Sequence, residues 1–279
     1  MDILTFLLLP FLAGLVLTGI HAYLGVHVVE RGVIFVDLSL AQIAALGTTV
    51  AFLAGYDLHS GVSYFWSLGF TIVGAAIFAL TRVHRETRIP QEAIIGIVYA
   101  VSAAAAILVM SKAPQETEHL KDMLVGNILA VNWYTVIKTA ILYALVGLFH
   151  FIFRRKFLAI SLGSESINNV KLWDFLFYTS FGFVVTSSVA IAGVLLVFSY
   201  LIVPSVTAML FSRSIGKRLA IGWTMGALVT AAGILLSFRL DLPTGATIVC
   251  TFGLALLLMA AVWAVTRRGN IAAGFTPPA

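Results

Sequence analysis

Asp174 to Ser212 reads DFLFYTSFGFVVTSSVAIAGVLLVFSYLIVPSVTAMLFS, a run of 39 residues in which no charge follows the first. As one α-helix at 1.5 Å per residue it would be about 58 Å long, nearly twice the ~30 Å hydrocarbon core of a bilayer. The run is therefore expected to pass through a membrane twice, or once with a re-entrant piece. SSVAIAG at 187–193 is the one segment in it that offers a turn.

The surrounding chain has the same character. Of 279 residues 61% are hydrophobic and 10% charged, with mean hydropathy +1.04, whereas a soluble domain carries roughly 25% charged residues. No room is left for a sizeable soluble domain, so residues 1–279 read as a single transmembrane domain. Nine apolar segments can be marked, at 4–28, 33–55, 61–82, 92–111, 133–153, 174–191, 193–212, 217–238 and 245–266. The expected fold is all-α, a polytopic transmembrane helical bundle of eight or nine spans. The first segment, MDILTFLLLPFLAGLVLTGI, lacks the basic start and small-residue cleavage site of a secretory signal and is read as a retained span.

Basic residues give an independent test of topology, because short cytoplasmic loops are enriched in Lys and Arg. With the N-terminus outside, thirteen fall on the inner side: Arg31, Arg82, Arg85, Arg88, Arg154, Arg155, Lys156, Lys171, Arg213, Lys217, Arg218, Arg267 and Arg268. Lys112, Lys121 and Arg239 fall on the other side, with Lys138 just inside the fifth segment. This favours nine passes, N-terminus outside and C-terminus inside. The net charge of +5 is thus a topology signal and not a nucleic-acid footprint. The single cysteine, Cys250, excludes a disulfide within the chain and a cysteine metal cluster, and its apolar setting reads as a small buried hydrophobe.

Two loops are longer than turns. The outer one, at 111–133, is acidic and then apolar and is expected to dip back against the bundle. The inner one, about 154–173, alternates basic, apolar and small polar residues, as an amphipathic helix along a membrane or partner surface would. Catalytic signatures are missing: no Gly-rich phosphate loop, no His-Glu-x-x-His and no Gly-x-Ser-x-Gly. An enzyme reading has no motif behind it.

What remains is a small set of polar residues in apolar surroundings. FVDLSLAQIAALG at 35–47 places Asp37, Ser39 and Gln42 in a span, and an intramembrane carboxylate is costly enough to be kept for a pathway or a partner. Five residues on a helix turn through 500°, so Asp37 and Gln42 point to different sides, whereas Ser39 and Gln42 share a face. Pro204 interrupts the seventh segment and frees backbone carbonyls. Glu92 opens the fourth segment, where the helix dipole favours a carboxylate as a cap or a gate. LDLPTG at 240–245 is a turn in which Asp241 and Thr244 can cap the next helix. His21, His27 and His150 fall in spans and are expected to be hydrogen-bonded within the bundle, since His21 and His27, six apart, do not share a face.

The chain resembles the membrane-permease family of ATP-binding-cassette importers for divalent transition metals. The matching stretches, in order, are LGVHVVERGVIFVDLSLAQIAALG, QEAIIGIVYAVSAAAAIL, MLVGNILAV, IAGVLLVFSYLIVPSVTAML and LDLPTGATIV. The resemblance implies a bacterial cytoplasmic-membrane protein that works as a homodimer in lipid around a central pathway. Separate cytoplasmic ATP-binding subunits would drive it and an extracytoplasmic solute-binding protein would deliver cargo. A divalent metal, zinc or manganese, would be the transported substrate, with no cofactor held by this chain and ATP hydrolysis on the partner. Within the inner loop, Gly163, Ser164, Glu165, Ser166, Ile167, Asn168 and Asn169 occupy the place of the coupling helix that docks on the ATPase, although Ser166 to Asn169 replace an Ala-rich stretch. In the second helix the family carries Asp and His four residues apart; here Leu38 and Gln42 stand there, with Asp37 one position earlier. A metal site at Asp37 and Gln42 is thereby weakened, since an amide oxygen is a poorer ligand than imidazole for such ions. The pathway is expected to be lined by Asp37, Ser39, Gln42 and Pro204. A permease for a chelated cofactor or other small solute, and an ion-driven secondary transporter, are the competing readings.

Overall fold

The computed structural model describes residues 3–57, 60–82, 89–111, 128–163 and 167–272. They form α1 (Ile3–Arg31), α2 (Val36–Leu53), α3 (Gly61–Leu80), α4 (Gln91–Met110), a 3-10 turn (Ile128–Ala130), α5 (Trp133–Ile152), α6 (Arg154–Leu162), α7 (Val170–Phe211), α8 (Ile215–Leu240) and α9 (Thr244–Ala272). Among the described residues there is no strand. Eight of these helices are long and apolar enough to cross a membrane; α6 is not.

The long apolar run settles how eight helices carry nine segments. α7 is interrupted at Gly193, whose φ of 74° and ψ of 161° lie in a region essentially reserved for glycine. Its two ends arrive at neighbouring residues of α1: Asp174 pairs with Arg31 at 2.9 Å, while the carbonyl of Ser212 accepts from Arg218, which pairs with Glu30. A straight helix of 42 residues would hold its ends about 60 Å apart. α7 therefore doubles back at Gly193 into two arms of opposite sense, 170–192 and 194–211. The turn falls on the last residue of the SSVAIAG segment.

The arms of α7 form the centre of the bundle, with α1, α2, α3, α8 and α9 packed against them. Phe177, Phe181, Leu196 and Tyr200 are fully enclosed. Lipid gives helices no hydrophobic reason to associate, so close backbone approach has to supply the contact. At Gly25 an added Cβ would collide with the carbonyl oxygen of Leu201, so α1 and the second arm meet backbone to backbone. Several buried hydroxyls satisfy themselves inside their own helices: Thr18 donates to Gly14, Ser205 to Leu201 and Thr230 to Gly226.

The helix ends that carry Arg31, Arg82, Asp174 and Arg218 gather at one end of the bundle, the side to which the basic residues were expected to sort. α9 packs by one flank: Ile248 and Phe252 are buried, whereas Leu254, Leu257, Leu258 and Val265 lie outside. Cys250, two residues from each of the buried pair, faces outward, so the expectation of a buried cysteine is corrected. Asp241, in the left-handed conformation (φ 53°), ends α8 instead of capping α9, and Thr244 joins the two helices through Ser237 at 2.6 Å. Of the outer loop, residues 112–127 lie outside the described residues, and the turn that follows buries Ile128 against α1.

Candidate functional site

The start of α2 is where the polar residues of the second span collect. Asp37 lies in the first turn and is 2% exposed. The amides of Leu38 and Asp37 itself face its carboxylate, and its Oδ1 has no partner. Glu92, from the first turn of α4, reaches across to accept the Phe35 amide at 2.9 Å, with the Ile34 amide also facing it. Glu92 thus caps the neighbouring helix and not its own, where its position in the first turn had suggested a cap. Its Oε2 is buried without a partner and its charge acts on Asp37. Two carboxylates are therefore held at the positive end of the α2 dipole, each with one unused oxygen, in a setting that favours anions.

Further along α2, Ser39 is fully buried with an unpartnered hydroxyl, while Gln42 is half-buried. Pro204 is buried in the second arm of α7 and packs on Gly222 of α8 and, through its neighbour Ser205, on the Ala22 carbonyl. Thr207, one turn on, is buried with its hydroxyl free. Asp37 Oδ1 and the hydroxyls of Ser39 and Thr207 are thus polar atoms without partners in an apolar bundle, and Gln42 is partly open to the surface. No cluster of three or more His, Cys, Asp and Glu side chains that would hold a metal occurs among the described residues.

The three histidines of the spans are held in hydrogen bonds, as expected. His21 lies 3.3 Å from Ser188, His150 lies 2.8 Å from Ser180 and 3.3 Å from the Tyr23 hydroxyl, and His27 lies 2.8 Å from Ser161. Sequence reading alone missed what surrounds them at the basic end: Arg31 donates to Ser161 and Asp174, and Asp174 also pairs with Arg82. These partners are 92 to 143 positions apart, so the only sequence signal was that opposite charges flank different segments.

The inner loop has its helix earlier than the resemblance implied. α6 runs over RRKFLAISL, with Phe157, Ala159, Ile160 and Ser161 turned inward and Arg154, Arg155 and Lys156 outward. Gly163 ends it in the left-handed conformation (φ 63°), and Asn169 adopts the same region (φ 58°) just before α7. Ile167 is half-buried and Asn168 and Asn169 are exposed, whereas Ser164, Glu165 and Ser166 lie outside the described residues.

Comparison with known proteins places this geometry. The ABC 3 transport family matches residues 4–264. The manganese transport system membrane protein MntC of Listeria monocytogenes is 27% identical over 82% of this chain and 81% of its own. The chelated iron transport system membrane protein YfeC of Yersinia pestis is 27% identical over 74% and 79% respectively. Among solved structures, PsaBC from Streptococcus pneumoniae in complex with Fab shares the fold at TM-score 0.73 and 22% identity, over 91% of this chain and 90% of that one. A match that takes in every span, on a bundle of the same architecture, leads to one conclusion: this multi-pass membrane protein belongs to the ABC 3 transport family.

Proposed function

We propose that this chain is the permease subunit of an ATP-driven importer that carries a divalent transition metal, manganese or zinc, into the cytoplasm. The observation that supports this most directly is the pair of unused carboxylate oxygens, one on Asp37 and one on Glu92, buried at the start of α2 in a chain of this family. In this reading two copies enclose a pathway lined by Asp37, Ser39, Gln42 and Pro204, with Asp37 a weak ligand for the passing ion and Glu92 its gate. The N-terminus lies outside and the C-terminus in the cytoplasm. ATP-binding subunits dock on the loop at about 154–173, including Gly163 to Asn169, and an extracytoplasmic binding protein supplies the ion.

A second reading, a permease for a chelated metal or other small solute, is favoured by Gln42 in the place of imidazole and by the relation to a chelated-iron system. ATP-driven uptake by the reconstituted complex, measured in parallel with manganese(II), zinc(II) and iron(II), separates them. Stimulation by at least one free ion is expected, and indifference to all three rejects the first reading. Uptake that continues without ATP-binding subunits rejects both in favour of an ion-driven carrier.

A further inference from the structure

α6 meets the bundle through two kinds of contact. Phe157 is fully buried and stacks on His150 with ring centroids 4.3 Å apart, in a cluster with Phe149, Trp173 and Phe177. Such packing holds the helix close but sets no direction. Ser161, 7% exposed, supplies the direction. Its hydroxyl oxygen lies 2.8 Å from Arg31 Nε and 2.8 Å from His27 Nδ1. A guanidinium only donates, so the hydroxyl accepts from Arg31, and its bond to His27 completes its hold on the end of α1.

The same guanidinium donates to Asp174 at 2.9 Å and lies over the Phe177 ring at 3.8 Å, while Asp174 also holds Arg82 beyond the end of α3. Arg31 thus joins the end of α1, the inner helix and the start of α7 through a rigid fork of donors. It is also the last residue of α1. Gly32 (φ 67°) and three more residues separate it from α2, whose first turn carries Asp37.

We infer that the hydrogen bond from Arg31 to Ser161 is the linkage through which displacement of the inner loop moves the end of α1 and the start of α2. Ser161 and Arg31 are then positioning residues for energy coupling, acting through Asp37 and Glu92 and touching neither nucleotide nor cargo. The inference rests on the ATP-driven permease reading. It concerns which atoms transmit the stroke, not whether one occurs.

The test uses the complete complex in proteoliposomes, with manganese(II) as probe, and reads ions taken up per ATP hydrolysed. A hydrogen bond to a charged group is worth enough to change a two-state balance by about ten-fold or more. S161A is expected to assemble and hydrolyse ATP while its transport ratio falls about ten-fold, and S161T, which keeps the hydroxyl, is expected to restore most of it. R31K keeps the charge facing Asp174 but removes Nε, and should lose the ratio like S161A. An assembled S161A complex with the wild-type ratio overturns the inference, because a merely structural contact would lower uptake and hydrolysis together or leave both alone. Should S161A fail to assemble, R31K decides on the same criterion. A wild-type complex without ATP-driven uptake refutes the permease reading instead, before any variant is compared.

Discussion

Asp174→Asn provides the sharpest test of the electrostatics at the basic end. The carboxylate is 2% exposed and stands between Arg31, whose side chain is 6% exposed, and Arg82, at 35%. Replacing it with the isosteric amide keeps the packing but removes the negative charge. The amide can also accept from one guanidinium only, turning its own donors toward the other. Arg31 cannot escape to water and retains the Phe177 ring and the Ser161 hydroxyl. Breaking a buried ion pair from one side costs about 3–5 kcal/mol, whereas an exposed pair contributes at most about 1 kcal/mol. Asp174→Asn should therefore lower the midpoint of thermal unfolding in detergent by on the order of 10 °C, and Arg82→Ala by no more than about 4 °C. The double variant Arg31→Met, Asp174→Leu, which removes the buried charges together, should recover most of the loss. If Asp174→Asn costs no more than Arg82→Ala, Arg31 is not confined as described and the argument fails.

Three further outcomes follow from the geometry. Gly193→Ala forces a side chain into a backbone region that costs about 1–3 kcal/mol, so it should lower the unfolding midpoint by several degrees, while Gly19→Ala, where a Cβ meets nothing within 4 Å, should not. Gly25→Ala drives a methyl into the Leu201 carbonyl and should cost about 3 kcal/mol or more in the same assay. Glu92→Gln keeps an acceptor for the Phe35 amide but removes the second charge beside Asp37; it should leave the unfolding midpoint within about 2 °C and lower manganese(II) uptake several-fold, whereas Glu92→Ala should lower both.

The sequence made the class of fold legible because apolar length is a direct consequence of bilayer thickness. Thirteen basic residues against four then fixed which helix ends belong together, and Arg31, Arg82 and Arg218 indeed meet at one end. The position of Asp37 at the mouth of α2 was equally readable. What periodicity could not supply was partnership across the chain. Glu92 caps α2 and not α4 because the two helix starts lie side by side, a fact of tertiary packing. Ser161 looked like one more small polar residue in a loop, and nothing local marks it as the acceptor of a guanidinium 130 positions earlier. Cys250 was misread for a similar reason: an apolar neighbourhood in sequence does not distinguish the flank of α9 that packs from the flank that faces outward.

The reversal at Gly193 also bears on how the chain is made. A hairpin closed by one glycine, with AIA before it and VLL after it, has no hydrophilic loop to carry across the bilayer as a separate step. Neither arm has a stop signal of its own between Asp174 and Arg213, so the insertion machinery receives both as one oversized apolar segment. Closure of the hairpin therefore rests on a single residue, in a backbone conformation that penalises any side chain by about 1–3 kcal/mol.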